Sequence, residues 1–402
     1  MLNPLIVIFI PYTLGLVLFF LPNSLLNFWV GEDNLALFNI EYLFILTMFF
    51  ISYYLGCKSY SLLLKKNGKN GKNGNHRRGS KKNLTILFNA IIISLLLFVL
   101  IDIFTIVNSF SITTILSSRD LFIEESRAPS LLFLCHPFIV YLYLNQSVEI
   151  KKSKVIFISP WFYISIYIVI SFLLMQRTNL FFLVLNIAII YFWKNSRAVE
   201  LRLFVKYAFL AVFALAVFNL ISDLRDDGYT EENKLIGYTL GSYNRFAAVI
   251  DTSLKYESSG TGYYSLRALL YPPIIKNSEP FKSLRDYLNF PDDLTKQWQS
   301  QFQSVKKINL NPKFVWVTSF GAFWIDLGPF AFLVFFVLGF ILQSLYIKTV
   351  FRNDSNFQIF TYSALVSAVI LGFGPNFITF PGIMYTYYFI ITWFFLRRVK
   401  IK

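Results

Sequence analysis

Apolar segments of bilayer-spanning length fill both ends of this 402-residue chain, and between them Asp223 to Trp316 is a polar, aromatic-rich stretch. A span needs about 20 predominantly apolar residues, and runs of that order lie near 5–29, 37–56, 84–107, 131–147, 155–175, 179–193, 203–222, 329–349, 357–374 and 377–396. With 56% hydrophobic residues and a mean hydropathy of +0.56, the composition excludes a soluble globule. The expectation is an all-α polytopic integral membrane protein of about ten transmembrane helices. It divides into an N-terminal bundle (1–222, seven spans, with a basic loop at 58–83), a large loop (223–328) holding amphipathic helices, and a C-terminal bundle (329–402, three spans).

The net charge of +15 is distributed by topology. On the ten-span reading Lys58, the run Lys65-Lys66 through Lys81-Lys82, then Lys151, Lys152 and Lys154, Lys194, Arg197, Arg202 and Lys206, Lys348 and Arg352, and Arg397, Arg398, Lys400 and Lys402 all fall on one side. The positive-inside rule makes that side cytoplasmic, with both termini on it and the long loop outside. The loop itself is near balance, with twelve basic and eleven acidic residues between Asp223 and Trp316. Nucleic acid is therefore not needed to explain the basic excess. The first apolar run lacks a basic flank and a small-residue cleavage site, so 5–29 reads as a retained span. Cys57 and Cys135 fall at opposite depths and do not pair, and the only histidines, His76 and His136, are in no metal-ligand pattern.

Ionisable groups inside spans are costly and mark sites or structural pairs. Glu41, Asp102 and His136 are of this kind, and each falls within about two helical turns of the outer face. They either sit in headgroup water or line a chamber open to the outer leaflet. Arg119, Arg127 and Arg177 are the basic residues of the short outer loops, and Arg carries a fixed planar charge suited to phosphate oxygens. Arg177 occupies a minimal turn, Gln176-Arg177-Thr178.

Within the loop, Leu235 to Asp251 has helical character, with Tyr238, Ser242, Arg245 and Val249 on one face. A second helix is expected from Asp293 to Lys307, started by Pro291-Asp292 and carrying the apolar stripe Leu294, Trp298, Phe302 and Val305, which suits packing on the loop core or on the bilayer surface. The abundant tyrosines are a weak carbohydrate signal, since rings with a polar tip also serve interfaces structurally. Phe314 to Asp326 reads as a helix at the outer interface broken by Gly328 and Pro329, which puts Asp326 at its rim.

Two stretches carry a resemblance. The run Gly237-Tyr238-Thr239-Leu240-Gly241-Ser242-Tyr243-Asn244-Arg245-Phe246-Ala247-Ala248-Val249-Ile250, followed by Tyr256 and Gly260-Thr261-Gly262-Tyr263-Tyr264, resembles the outer-loop signature of bacterial O-antigen polymerases. The stretch Gln297 to Leu338, with Gln301-Phe302, Thr318-Ser319-Phe320-Gly321 and Asp326-Leu327-Gly328, is similar to the segment entering the next span in that family. The resemblance implies polymerisation of undecaprenyl-pyrophosphate-linked O-antigen repeat units at the periplasmic face of the inner membrane, in lipopolysaccharide biosynthesis. The growing glycan moves onto a newly flipped repeat and undecaprenyl pyrophosphate leaves.

That chemistry asks for cations on the pyrophosphate and a general base near the acceptor hydroxyl. Arg177 and Arg245 are the expected phosphate contacts, with Arg127 and Arg225 in reserve. Asp326 is the expected base ahead of Asp102 and His136, and Tyr238, Tyr243 and Asn244 are candidate sugar or headgroup contacts. No cofactor or metal is implied, although Asp226-Asp227 leaves a metal conceivable. The implied partners are the lipid-linked oligosaccharide as donor and acceptor, membrane lipid, and a chain-length regulator and flippase of the same pathway, with no nucleic acid. The rival readings are a lipid-linked oligosaccharide flippase, which asks for charges at several depths, and an O-antigen ligase, which shares the donor.

Overall fold

A computed structural model describes residues 3–67, 81–109, 128–149, 159–174, 177–194, 236–256, 260–271, 278–288, 290, 294–351, 356–374 and 376–398. The described residues are helical, with no strand among them. The described helices are α1 (Pro4–Phe20), α2 (Asn23–Val30), α3 (Ile40–Asn67), α4 (Lys81–Ser109), α5 (Ala128–Glu149), α6 (Pro160–Leu173) and α7 (Arg177–Lys194). The loop region adds α8 (Ser242–Ile250), α9 (Tyr263–Leu270), α10 (Glu279–Tyr287), α11 (Leu294–Lys307) and α12 (Ser319–Leu327). The chain finishes with α13 (Ala331–Phe351), α14 (Asn356–Leu371) and α15 (Pro381–Arg398).

Among the described residues four stretches are long and apolar enough to cross a membrane, Ile40–Leu63, Thr85–Thr105, Ala128–Asn145 and Ser319–Val350, and the bent pair α1 and α2 makes up to five. The apolar parts of α6, α7, α14 and α15 are shorter. At 1.5 Å per residue the 16 residues of Asn356–Leu371 rise only about 24 Å, less than a hydrocarbon core of about 30 Å. The expected span 203–222 lies outside the described residues. The structure also corrects the first span, for 5–29 is not one rod: α1 ends at Phe20 and α2 turns away by 113°. Pro22 ahead of α2 explains the break, because proline disfavours helix at the residue before it. The loop 58–83 is shorter than expected, since α3 continues to Asn67 and α4 starts at Lys81.

Side-chain contacts fix helix directions. Tyr53 Oη bonds Pro4 O at 3.0 Å while Tyr42 Oη bonds Gly15 O at 3.3 Å, so α1 and α3 are antiparallel. Phe49 meets Phe332 and Phe335 whereas Gln343 reaches Ser61, so α3 and α13 run parallel. They touch backbone to backbone: a Cβ on Gly56 would collide with Phe336 O, and one on Gly339 with Tyr53 O. Asp102 meets Ala128 and Phe88 meets Tyr141, which sets α4 against α5. Tyr163 bonds Asn89 near the start of α6, and Lys194 at the end of α7 bonds Tyr143 O at 2.7 Å. Phe133 meets Phe380 and Tyr141 meets Trp393, so α15 runs parallel to α5.

The helices thus alternate between two ends of one bundle. Lys65-Lys66, Lys81-Lys82, Lys194, Lys348 and Arg397-Arg398 gather at one end, and Glu32, Glu41, Asp102, Asp326 and Arg177 at the other, where the helices of the loop sit. One core joins α1, α3, α8, α12, α13 and α14, and a second joins α4 to α7 with α14 and α15. Large apolar side chains on the outside, such as Leu97, Phe98, Ile101 and Phe104 of α4, are what a lipid-facing surface requires.

Candidate functional site

The end of the bundle that carries the loop helices is organised around a buried polar clasp. Gly31 ends α2 in the left-handed conformation (φ 75°), and the next residue, Glu32, turns inward. Its carboxylate takes Arg245 Nη1 at 3.0 Å and Nη2 at 2.9 Å, and both side chains are 0% exposed. Arg245 also donates to Gly241 O at 2.7 Å and Asn311 O at 2.6 Å. Glu32 in turn accepts from Asn311 N at 3.0 Å and Asn244 Nδ2 at 3.1 Å. Asn244 also accepts from Leu35 N and donates to Asp33 O, and Asn311 Nδ2 donates to Val30 O. Three chain segments, 30–35, 241–245 and the turn at Asn311, are pinned at one point, and the bonds to Glu32 and Arg245 are charge-assisted, the strong class of hydrogen bond.

The local sequence explains how a guanidinium comes to lie there. Gly237 to Gly241 is a π-helical turn before α8. A Cβ on Gly237 would strike the Phe314 ring, and one on Gly241 would press on Arg245 Nη1 at 3.1 Å. Close approach therefore excludes a side chain at Gly237 unless Phe314 shifts, and leaves Gly241 tightly packed against the guanidinium. Beside them Tyr243 is fully buried and its hydroxyl donates to Pro11 O, midway along α1, which plugs the loop into the bundle. Tyr238 stays half-buried, edge-on to Phe314. Tyr256 donates to Val315 O at 3.0 Å, and burial pushes its phenol above its ordinary range, so it acts there as a neutral donor.

Asp326 lies near the end of α12, 9% exposed. Thr318 Oγ1 starts that helix by accepting Gly321 N at 3.2 Å, and Gly328, at φ 52° and followed by Pro329, ends it. Asp326 Oδ2 accepts Ser265 N at 2.6 Å, within the first turn of α9, so the carboxylate caps that helix from across the fold. Its Oδ1 is buried, and the Ser265 hydroxyl and the backbone of Tyr264 and Gly262 in the same turn also bear on the carboxylate. Asn376 binds the same turn, donating to Tyr264 O at 3.3 Å and to Thr379, and accepting from Ser319 Oγ at 3.0 Å. Gln301 of α11 donates to Tyr264 Oη at 3.3 Å.

Several sequence-derived site residues take structural positions. Arg245, Asn244 and Tyr243 were expected at phosphate or sugar, but all three are buried in the contact between loop and bundle. Glu32 occupies both terminal nitrogens of Arg245, which leaves no fork for a phosphate in this conformation. Asp102 also caps a helix, accepting Ala128 N at 2.8 Å at the start of α5. Glu41 is exposed in the first turn of α3. His136 is buried, with Nδ1 3.3 Å from Thr386 Oγ1. Arg177 opens α7. Arg127 and Arg225 lie outside the described residues, as do Arg119, His76 and Asp226-Asp227. No cluster of metal-ligating side chains occurs among the described residues.

Sequence reasoning missed Glu32, Ser265, Asn311 and Asn376. A signal for the first was available: Arg245 stands among Tyr243, Phe246, Ala247 and Ala248, and a cation on so apolar a face needs an acid. Gly31-Glu32-Asp33, wedged between apolar runs, supplies it. Comparison of the chain with known protein families, with curated proteins and with solved structures finds no match.

Proposed function

We propose that the protein polymerises lipid-linked oligosaccharide repeat units, joining them at the outer face of a bacterial inner membrane with release of undecaprenyl pyrophosphate. The reading includes the ten-span topology, with the basic bundle end and both termini cytoplasmic and the loop helices periplasmic. It rests first on the resemblance of Gly237–Ile250, Gly260–Tyr264 and Gln297–Leu338 to the O-antigen polymerases. The observation that carries it is that these stretches come together at the bundle end opposite the basic one, tied to one another by Arg245–Asn311 and Asp326–Ser265 and to the end of α2 by Glu32–Arg245. A substrate whose anchor stays in lipid while its sugars stand in water reacts at such a junction.

In this reading Arg245 is a positioning residue, and the cations for the pyrophosphate are sought at Arg177, with Arg127 and Arg225 in reserve. Asp326 is the base through Oδ1, the oxygen that does not accept Ser265 N. Tyr238, half-buried, remains a candidate sugar contact. The embedded acids gather at the loop end, which favours a reaction at one face over a translocation path.

The test is the lipopolysaccharide ladder of a strain lacking this gene, with and without the wild-type copy. Core bearing a single repeat, restored to a full ladder by the gene, supports the polymerase. Core with no repeat points to flippase or ligase, and an unchanged ladder removes the proposal.

A further inference from the structure

We propose that α2 is a monolayer-embedded helix, lying in the outer surface of the bilayer with one face in phospholipid, and that it holds the loop clasp at a fixed depth. Its direction is the first observation. The 113° bend means that α2 runs back toward the start of α1 instead of away from the bundle. Eight residues rise about 12 Å, so its far end lies about 5 Å further down the α1 axis than its beginning.

The faces of α2 are the second. Leu26 and Val30 are buried against the core. Asn23, Ser24 and Asn27 form a polar exposed strip, and Asn23 bonds the exposed Asp33 at 3.0 Å. Roughly 140° round the helix, taking 3.6 residues per turn, are Leu25, Phe28 and Trp29. Phe28 is 78% exposed, and Leu25 is exposed as well. A helix with a protein face, a polar face and an apolar outer face is built for a boundary between water and lipid.

Continuity identifies the occupant. Phe20 at the end of α1, Phe38 in the turn before α3, and Ile40 and Phe44 of α3 are all exposed, and Ile40–Leu63 is long and apolar enough to cross a membrane. Phe38 is held at φ 51°, an uncommon conformation for an aromatic residue, with its N–H on Phe19 O and its ring edge-on to Phe19 and Phe20. The apolar outer side of α2 extends this lipid-facing collar. Glu32 lies two residues beyond α2, so the depth of α2 in the leaflet sets the height of the Arg245 clasp and with it the loop helices.

The test is site-directed spin labelling of the full chain in vesicles of phosphatidylethanolamine and phosphatidylglycerol. Nitroxides go on Leu25→Cys and Phe28→Cys, on Ser24→Cys and Asn27→Cys, and on Ile341→Cys as a mid-span lipid reference. Native Cys57 and Cys135 are buried, and labelled wild type gives the background. Positions 25 and 28 should collide several-fold more with oxygen than with a nickel chelate, at a depth within about 10 Å of the headgroup boundary, whereas 24 and 27 should favour nickel. Nickel access at all four positions overturns the proposal, as does shielding of position 28 from both reagents, which would mean a protein cover. This readout does not depend on any polymerase activity.

Discussion

Breaking the clasp from one side should loosen the loop helices without unfolding the bundle. In Arg245→Ala, Glu32 keeps only Asn311 N and Asn244 Nδ2 and stays buried as an uncompensated anion. Removing one partner of a buried pair costs about 3–5 kcal/mol. Glu32→Ala strands the cation instead, and a cost of the same size is expected. At 0.59 kcal/mol for RT, even about 3 kcal/mol multiplies the open population by more than a hundred-fold. Hydrogen exchange in lipid nanodiscs reads this directly: amides of Ser242–Ile250 should lose about two orders of magnitude of protection, while those of α13 hold. The double variant Glu32→Leu/Arg245→Met removes both charges, so it should recover much of the protection. Unchanged protection in Arg245→Ala, or a double variant as poor as the sum of the singles, would refute the reasoning.

Asp326→Asn keeps an oxygen for Ser265 N, since asparagine caps helices about as well as aspartate, but it cannot accept a proton. Normal yield and thermal stability with loss of polymer would place the base at Asp326, while a full ladder would leave it a cap. Tyr243→Phe deletes only the bond to Pro11 O and should cost about 1 kcal/mol in protection of α8. Tyr243→Ala also empties a core position and should cost about 3–5 kcal/mol. Gly339→Leu drives a side chain into Tyr53 O, so size-exclusion chromatography should find it aggregated, and a monodisperse peak would contradict the α3–α13 contact. Asp102→Ala should lower protection at the start of α5 by about 1 kcal/mol, with Asp102→Asn close to wild type, checked by the same exchange measurement.

Helix content was legible because apolar runs of this length have few other options, and their starts and stops were set by Pro22, Gly31, Thr318 and Gly328. The break between α1 and α2 was less so, because both halves are apolar and only Pro22-Asn23-Ser24 interrupts them. In the loop, the helical character of Leu235–Asp251 and the helix ending at Lys306-Lys307 were both readable from periodicity. Val305 packs on the loop core as its stripe required. What periodicity cannot give is which polar groups meet across long stretches of chain. Arg245 looks the same in sequence whether it faces phosphate or Glu32, 213 residues away, and Asp326 the same whether it caps α9 or stands free. Those distinctions depend on tertiary pairing, which in this structure buries Arg245, Asn244 and Tyr243 in the joint between loop and bundle.

The most direct measurement is reconstitution of the purified protein alone into vesicles containing undecaprenyl-pyrophosphate-linked repeat units. Oligomers growing by one repeat at a time, with one undecaprenyl pyrophosphate released for each bond formed, are the expected result. Repeat units that stay unjoined, or that cross the bilayer without joining, would contradict the account.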